Sequence, residues 1–148
     1  IGDNMAITTN AICNSFKKEL LEATHNFSNP GGNSFKLAMY TNSAALGKST
    51  TSFTTGGQVS SPSGYSSGGK ALVNVGTSIA TNTAITDFAD LSFVGVTLTA
   101  RGALIYNDTN GDKAVAVLDF GGDKTATSGT FTIQFPAFTT SAAILRIA

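Results

Sequence analysis

The stretch Leu98–Gly122, LTARGALIYNDTNGDKAVAVLDFGG, limits what this chain can fold into more than any other. Two apolar runs, Gly102–Tyr106 and Ala114–Phe120, flank the polar knot Asn107-Asp108-Thr109-Asn110-Gly111-Asp112. Short β-branched and aromatic runs bounded by Asn, Asp and Gly are the pattern of paired antiparallel strands. Gly111, following Asn110, offers a position where positive φ costs little, as a tight turn requires. Both runs are nearly continuous in apolar residues, which predicts strands covered on two faces, as in the middle of a packed sheet. The stretch is thus expected to form the central hairpin of a β domain.

Composition agrees. The chain carries 21 Thr and 15 Ser, residues that suit pleated sheet and turns respectively. Charged residues make up only 12% and balance to zero, so no electrostatic footprint for nucleic acid exists. So little charge is unusual for a free monomer and suits a protein packed against neighbours. At 148 residues one domain spanning 1–148 is expected, with a sizeable core. The single cysteine, Cys13, forbids an intramolecular disulfide framework. No apolar run reaches about 18 residues, so no membrane span is expected. No basic region followed by an apolar core heads the chain, so no export signal is expected either. Ile1-Gly2-Asp3-Asn4 precede Met5 and are read as an upstream start or an appended remnant.

One N-terminal α-helix is predicted over residues 11–26, because Ile12, Phe16, Leu20, Ala23 and Phe27 fall on one stripe. Thr9 or Asn10 is expected to cap it, and Asn29-Pro30-Gly31-Gly32 to stop it. Phe35–Tyr40 alternates as a strand does, with Phe35, Leu37 and Met39 sharing a face. Residues 41–69 are dominated by Ser, Thr and Gly, and such a length is too great for an ordinary connection. An excursion or arm held partly by a binding partner is expected there. Strand-like patterns return at Lys70–Val75, Asp87–Leu98, Thr130–Phe135 and Ala142–Ile147, with a chain turn expected at Gly121-Gly122-Asp123. The fold class expected is mainly β, an antiparallel β-sandwich or jelly-roll-like unit with one helix.

No catalytic, cofactor-binding or metal site emerges. Cys13 and His25, placed on one helix, would stand about 18 Å apart at about 1.5 Å of rise per residue, too far for a nucleophile and its base. A single His leaves no histidine-rich metal site. Asp108, Asn110 and Asp112 alternate oxygen ligands as a calcium loop does, but Lys113 stands where such a loop needs glycine, so a plain turn is expected. Asp87 with Asp90, and Asp119 with Asp123, are carboxylate pairs around which nothing else organises a substrate, and turn or cap roles are expected. Gly56-Gly57 and Gly121-Gly122 lack the lysine and spacing of a phosphate loop.

The segments ITDFADLSF, TLTARGALIYN, KAVAVLDFGGDK and GTFTIQFP, with AAILRIA at the end, resemble small structural proteins of tailed bacteriophages. The opening MAITTNAICNSFKKELLEATHNF and the later FKLAMYT are similar to that family's start, and the likeness weakens between Ala44 and Gly69. The resemblance implies a virion component: a capsid decoration, or cement, protein on the outer surface of the shell. Its implied partners are the major capsid protein and copies of itself as a homotrimer, with no nucleic acid, membrane or cofactor and no enzymatic reaction. The alternative is a tail, fibre or surface-display module that binds a host glycan or another tail protein, with Tyr40, Tyr65 and Tyr106 exposed to stack on sugar.

Overall fold

A computed structural model describes residue 7 and residues 10–60 and 64–148. In chain order the elements are β1 (Ala11–Ile12), α1 (Asn14–Leu21), β2 (Phe35–Tyr40), β3 (Lys70–Ala71), β4 (Asn74–Ala80), β5 (Thr83–Phe88), β6 (Leu91–Asn107), β7 (Lys113–Ile133) and β8 (Leu145–Ile147). They form two antiparallel sheets, one ordered β1-β7-β6-β2-β3 and the other β4-β5-β8. The fold is mainly β and sandwich-like, as the composition implied.

The predicted hairpin is there, and it is longer than its apolar runs. β6 and β7 pair from Asn107↔Lys113 at the turn to Leu91↔Ile133 at the far end. The bend expected at Gly121-Gly122-Asp123 is instead a bulge inside β7. The register passes from Gly102↔Asp119 to Ala100↔Lys124, so β7 carries extra residues where β6 carries one. Both glycines take positive φ there, and Arg101 Nε holds Asp123 at 3.1 Å across the bulge. The glycines supply the positive φ the bulge needs, and the chain resumes its direction instead of reversing.

Alternation along the hairpin sorts its side chains onto two faces. Phe35, Leu37 and Met39 of β2 share one face with Ile105 and Asn107 of β6, according to the register. Lys36, Ala38 and Tyr40 share the other with Leu104 and Tyr106. On the first face an aromatic cluster joins the sheets: Phe35 stacks on Phe27 at 4.4 Å and meets Phe88 of β5 at 5.7 Å. Phe16 of α1 closes on Phe27 at 5.9 Å, so helix and both sheets share one core.

The described residues of 41–69 cover the second face and are no free arm. Ala44, Leu46, Val59 and Tyr65 are buried. Backbone bonds tie the segment down at both its flanks: Val59 N–H to Met39 O at 2.9 Å, Phe53 N–H to Asp112 O at 2.9 Å and Ala114 N–H to Thr51 O at 3.0 Å. The chain's tyrosines are the clamps rather than exposed platforms, with relative exposures of 0% for Tyr40, 3% for Tyr65 and 2% for Tyr106. Tyr40 donates to Thr54 O at 2.6 Å, Tyr106 donates to Gly68 O, and the Tyr65 hydroxyl accepts from Met39 N–H at 2.9 Å. Gly69, at φ +81, lies so close to β2 that a Cβ would sit 1.8 Å from Leu37 O. Polar composition marked this segment as unpackable, yet a few large side chains and backbone bonds suffice to dock it.

The helix is shorter than residues 11–26. Ala11 and Ile12 pair with Val117 and Ala116 as a strand, and Cys13 occupies the N-cap without a side-chain bond. Asn10 instead accepts from Asp119 N–H at 2.6 Å, while Thr9, the other expected cap, lies outside the described residues, as do residues 1–4. At the other end Ala23 takes φ +60, with Ala23 N–H bonded to Leu20 O at 3.1 Å and Thr24 N–H to Glu19 O at 2.9 Å. This paired arrangement is a Schellman stop, normally built with glycine at the left-handed position. Alanine in that role hides the stop from sequence reading. The β4–β5 hairpin was also unexpected, because Thr77, Ser78, Thr81, Asn82 and Thr83 obscure any apolar alternation.

An L-residue in the left-handed region costs about 1–2 kcal/mol relative to glycine, partly offset by the extra freedom glycine gives the unfolded chain. Ala23→Gly is therefore expected to raise unfolding stability by about 1 kcal/mol in denaturant titration. Destabilisation by that substitution would contradict the cap geometry.

Candidate functional site

Beneath the hairpin turn lies a buried polar knot. Asn107, at the end of β6, accepts from the Thr109 and Asn110 amides at 3.0 and 3.1 Å through Oδ1. That commitment orients its side chain, so Nδ2 donates to His25 Nδ1 at 3.0 Å and to Asn33 Oδ1 at 3.0 Å. His25 Nε2–H in turn donates to Glu19 Oε1 at 2.9 Å, and Lys113 Nζ stands 3.7 Å from Glu19 Oε2. Asn110 donates to Thr24 O, and Asn33 Oδ1 also accepts from Asn26 N–H at 2.8 Å.

A carboxylate that orients a histidine is half of a nucleophilic triad. The other half is missing here. Both ring nitrogens are committed, the His25 side chain is 0% exposed, and the Phe16 ring lies 4.8 Å from it. No nitrogen is left to take a proton from a substrate or nucleophile. The knot instead joins the loop after α1 to the turn between β6 and β7, with its buried polar atoms satisfied.

Next to the knot, an open cleft of about 880 Å³ separates α1 and the loop after it from one face of the smaller sheet. Its walls are Ile12, Phe16, Leu20 and Phe27 on one side, and Thr77, Ala84 and Leu145 on the other. Cavities of this size accommodate ligands or protruding side chains. The register Ile79↔Ala84↔Ile147 puts these residues in one cross-strand row. Ile79 and Ile147 are 70% and 61% exposed, so the row continues the apolar lining out to solvent.

The other singled-out residues take structural positions. Cys13 is buried at the start of α1, and its thiol is pushed up to about 11, first by burial and then by Glu19. Its Sγ faces Gly47 O at 4.0 Å, while His25 bonds Glu19 and Asn107, so the structure does not pair the two. The helical spacing argued for them does not apply, since His25 lies beyond the end of α1. Asp108 pairs with Lys36 at 3.5 Å, and Asp112 takes φ 56 in the turn. Asp119 accepts from Gly121 N–H at 2.9 Å, and Asp90 accepts from Phe135 N–H at 2.8 Å. Among the described residues no three His, Cys, Asp or Glu side chains gather as metal ligands do, and no helix is long and apolar enough to cross a membrane.

Sequence reasoning missed Glu19, Asn33 and Asn107 as a unit. Only their side-chain types hinted at it, since they sit in three separate segments. The cleft had no sequence signal at all, because it is assembled from β1, α1, its following loop and the second sheet. No family model, curated protein or solved structure matches this chain.

Asp87 is 1% exposed; its Oδ1 accepts from Phe88 N–H at 2.8 Å and its Oδ2 has no hydrogen-bond partner among the described residues. Burial raises its carboxyl above the ordinary 3.8, with Asp90 adding to the rise and the nearby Phe88 and Ile144 amides opposing it. The folded state therefore holds this proton more tightly than the unfolded state. The stability Asp87 contributes is full below 3.8 and is lost as pH rises through the raised value. Asp87→Asn is expected to flatten that decline in denaturant titrations across pH; parallel profiles for the two proteins would contradict it.

Proposed function

We propose that this chain is a virion structural protein of a tailed bacteriophage, a capsid decoration protein that binds the assembled shell and performs no reaction. One observation carries the reading: the smaller sheet leaves an apolar row open to solvent, with Ile79 and Ile147 flanking Ala84. Exposed apolar surface of this kind marks sites of contact with other proteins. Three further features support it. The chain resembles phage structural proteins, its net charge is zero, and its one histidine is committed at both ring nitrogens.

The mechanism is thermodynamic. A protein that binds only the expanded lattice stabilises it by its summed binding free energy. Repeated copies, and self-association into a trimer, turn weak contacts into strong ones through effective concentration. The exposed row and the cleft beside it provide the contact surface; among the described residues of 41–69, whose Ala44, Leu46, Val59 and Tyr65 are buried against the chain itself, Lys48 borders that cleft. The tyrosines of the glycan-binding alternative are likewise occupied. Particles lacking the protein are expected to release DNA at a lower temperature than complete ones; equal heat resistance would contradict the proposal.

A further inference from the structure

The cleft's charges are one-sided, although the chain as a whole is neutral. Lys17 and Lys48 line it, while no described Asp or Glu does; Arg146 borders it only from β8, where the register turns its side chain to the face opposite Leu145 and Ile147. The carboxylates of α1 are engaged elsewhere: Glu19 with His25 and Lys113, and Glu22 with Lys18. Lys17 and Lys48 form no ion pair among the described residues, and Arg146, on the other face, donates to Thr140 O at 3.2 Å. The smaller cleft of about 570 Å³ beside Phe120 and Phe131 shows no such bias, since Asp119 and Lys124 both line it.

Resting on the decoration reading, we infer that this cleft docks a segment of the shell protein bearing Asp or Glu beside large apolar side chains. The apolar walls Phe16, Phe27 and Leu145 bury the apolar side chains, and the cationic rim meets the carboxylates. Burial supplies the non-directional part of such binding, while the charges select the partner and orient its approach. A neutral or basic segment leaves the rim cations facing nothing of opposite sign, which is how the site discriminates.

The test is co-sedimentation of the purified full-length protein with shells stripped of it. The wild type is compared with Lys17→Glu/Lys48→Glu and with the charge-conserving Lys17→Arg/Lys48→Arg. Both positions are exposed, so each variant is expected to keep the wild-type melting profile, which is recorded first. The inference expects the reversed variant to bind at least about tenfold more weakly at low salt, the difference to shrink at high salt, and the conserved variant to bind as the wild type does. Equal binding by the wild type and the reversed variant overturns the inference and leaves the decoration reading standing. The same result accompanied by saturable binding of dodecanoate to the isolated protein assigns the cleft to a small amphiphile and also overturns it. Failure of the wild type itself to bind shells overturns both.

Discussion

Pairing of β6 with β7 is the constraint from which the rest of the structure takes its register. β1 aligns on β7 and β2 on β6, and β3 is placed by β2 in turn. An isolated two-stranded ribbon is marginal in water. This one is stabilised by cover on both faces near its turn, where Leu104, Ile105, Val115 and Val117 are all fully buried. One cover is residues 41–69, fastened by tyrosine hydroxyls to backbone carbonyls and by Phe53 stacking on Tyr106 at 4.8 Å. The other is α1 with the smaller sheet, fastened by the cluster of Phe16, Phe27, Phe35 and Phe88.

The two fastenings differ physically. Aromatic burial is strong and tolerant of small shifts. The His25–Asn107 knot is directional, and each of its buried groups becomes costly if its partner is removed. Together they fix where the loop after α1 sits relative to the hairpin turn, and so fix one wall of the cleft. The opposite wall belongs to the smaller sheet, whose β4 and β8 are both edge strands. The side that carries the exposed row of Ile79 and Ile147 is thus also a side whose shape the core determines.

Much of the fold was legible because its central strands are apolar on both faces, and that pattern has few solutions besides buried sheet. What stayed hidden had specific physical causes. Ala23 stops α1 where glycine would have announced a stop, and Ile12 continues the helical stripe while lying in a strand. Residues 41–69 read as an excursion held partly by a partner because their docking uses backbone bonds and three tyrosines, Tyr65 of their own and Tyr40 and Tyr106 of the sheet. The knot and the cleft were not legible, since each brings together residues that only the tertiary fold makes neighbours. Cys13 sits buried at the start of α1, while Asp90 and Asp119 accept backbone N–H groups, positions their residue types alone do not single out.

A neutral, hydroxyl-rich body with one uncovered apolar sheet row is suited to seating against protein, and the account rests on that seating. Difference imaging of particles with and without this protein tests it most directly. The account predicts density repeated over the shell lattice, with the β4-β5-β8 sheet turned towards the capsid subunits. Density confined to the tail, or a shell-bound molecule with that sheet facing solvent, would contradict it.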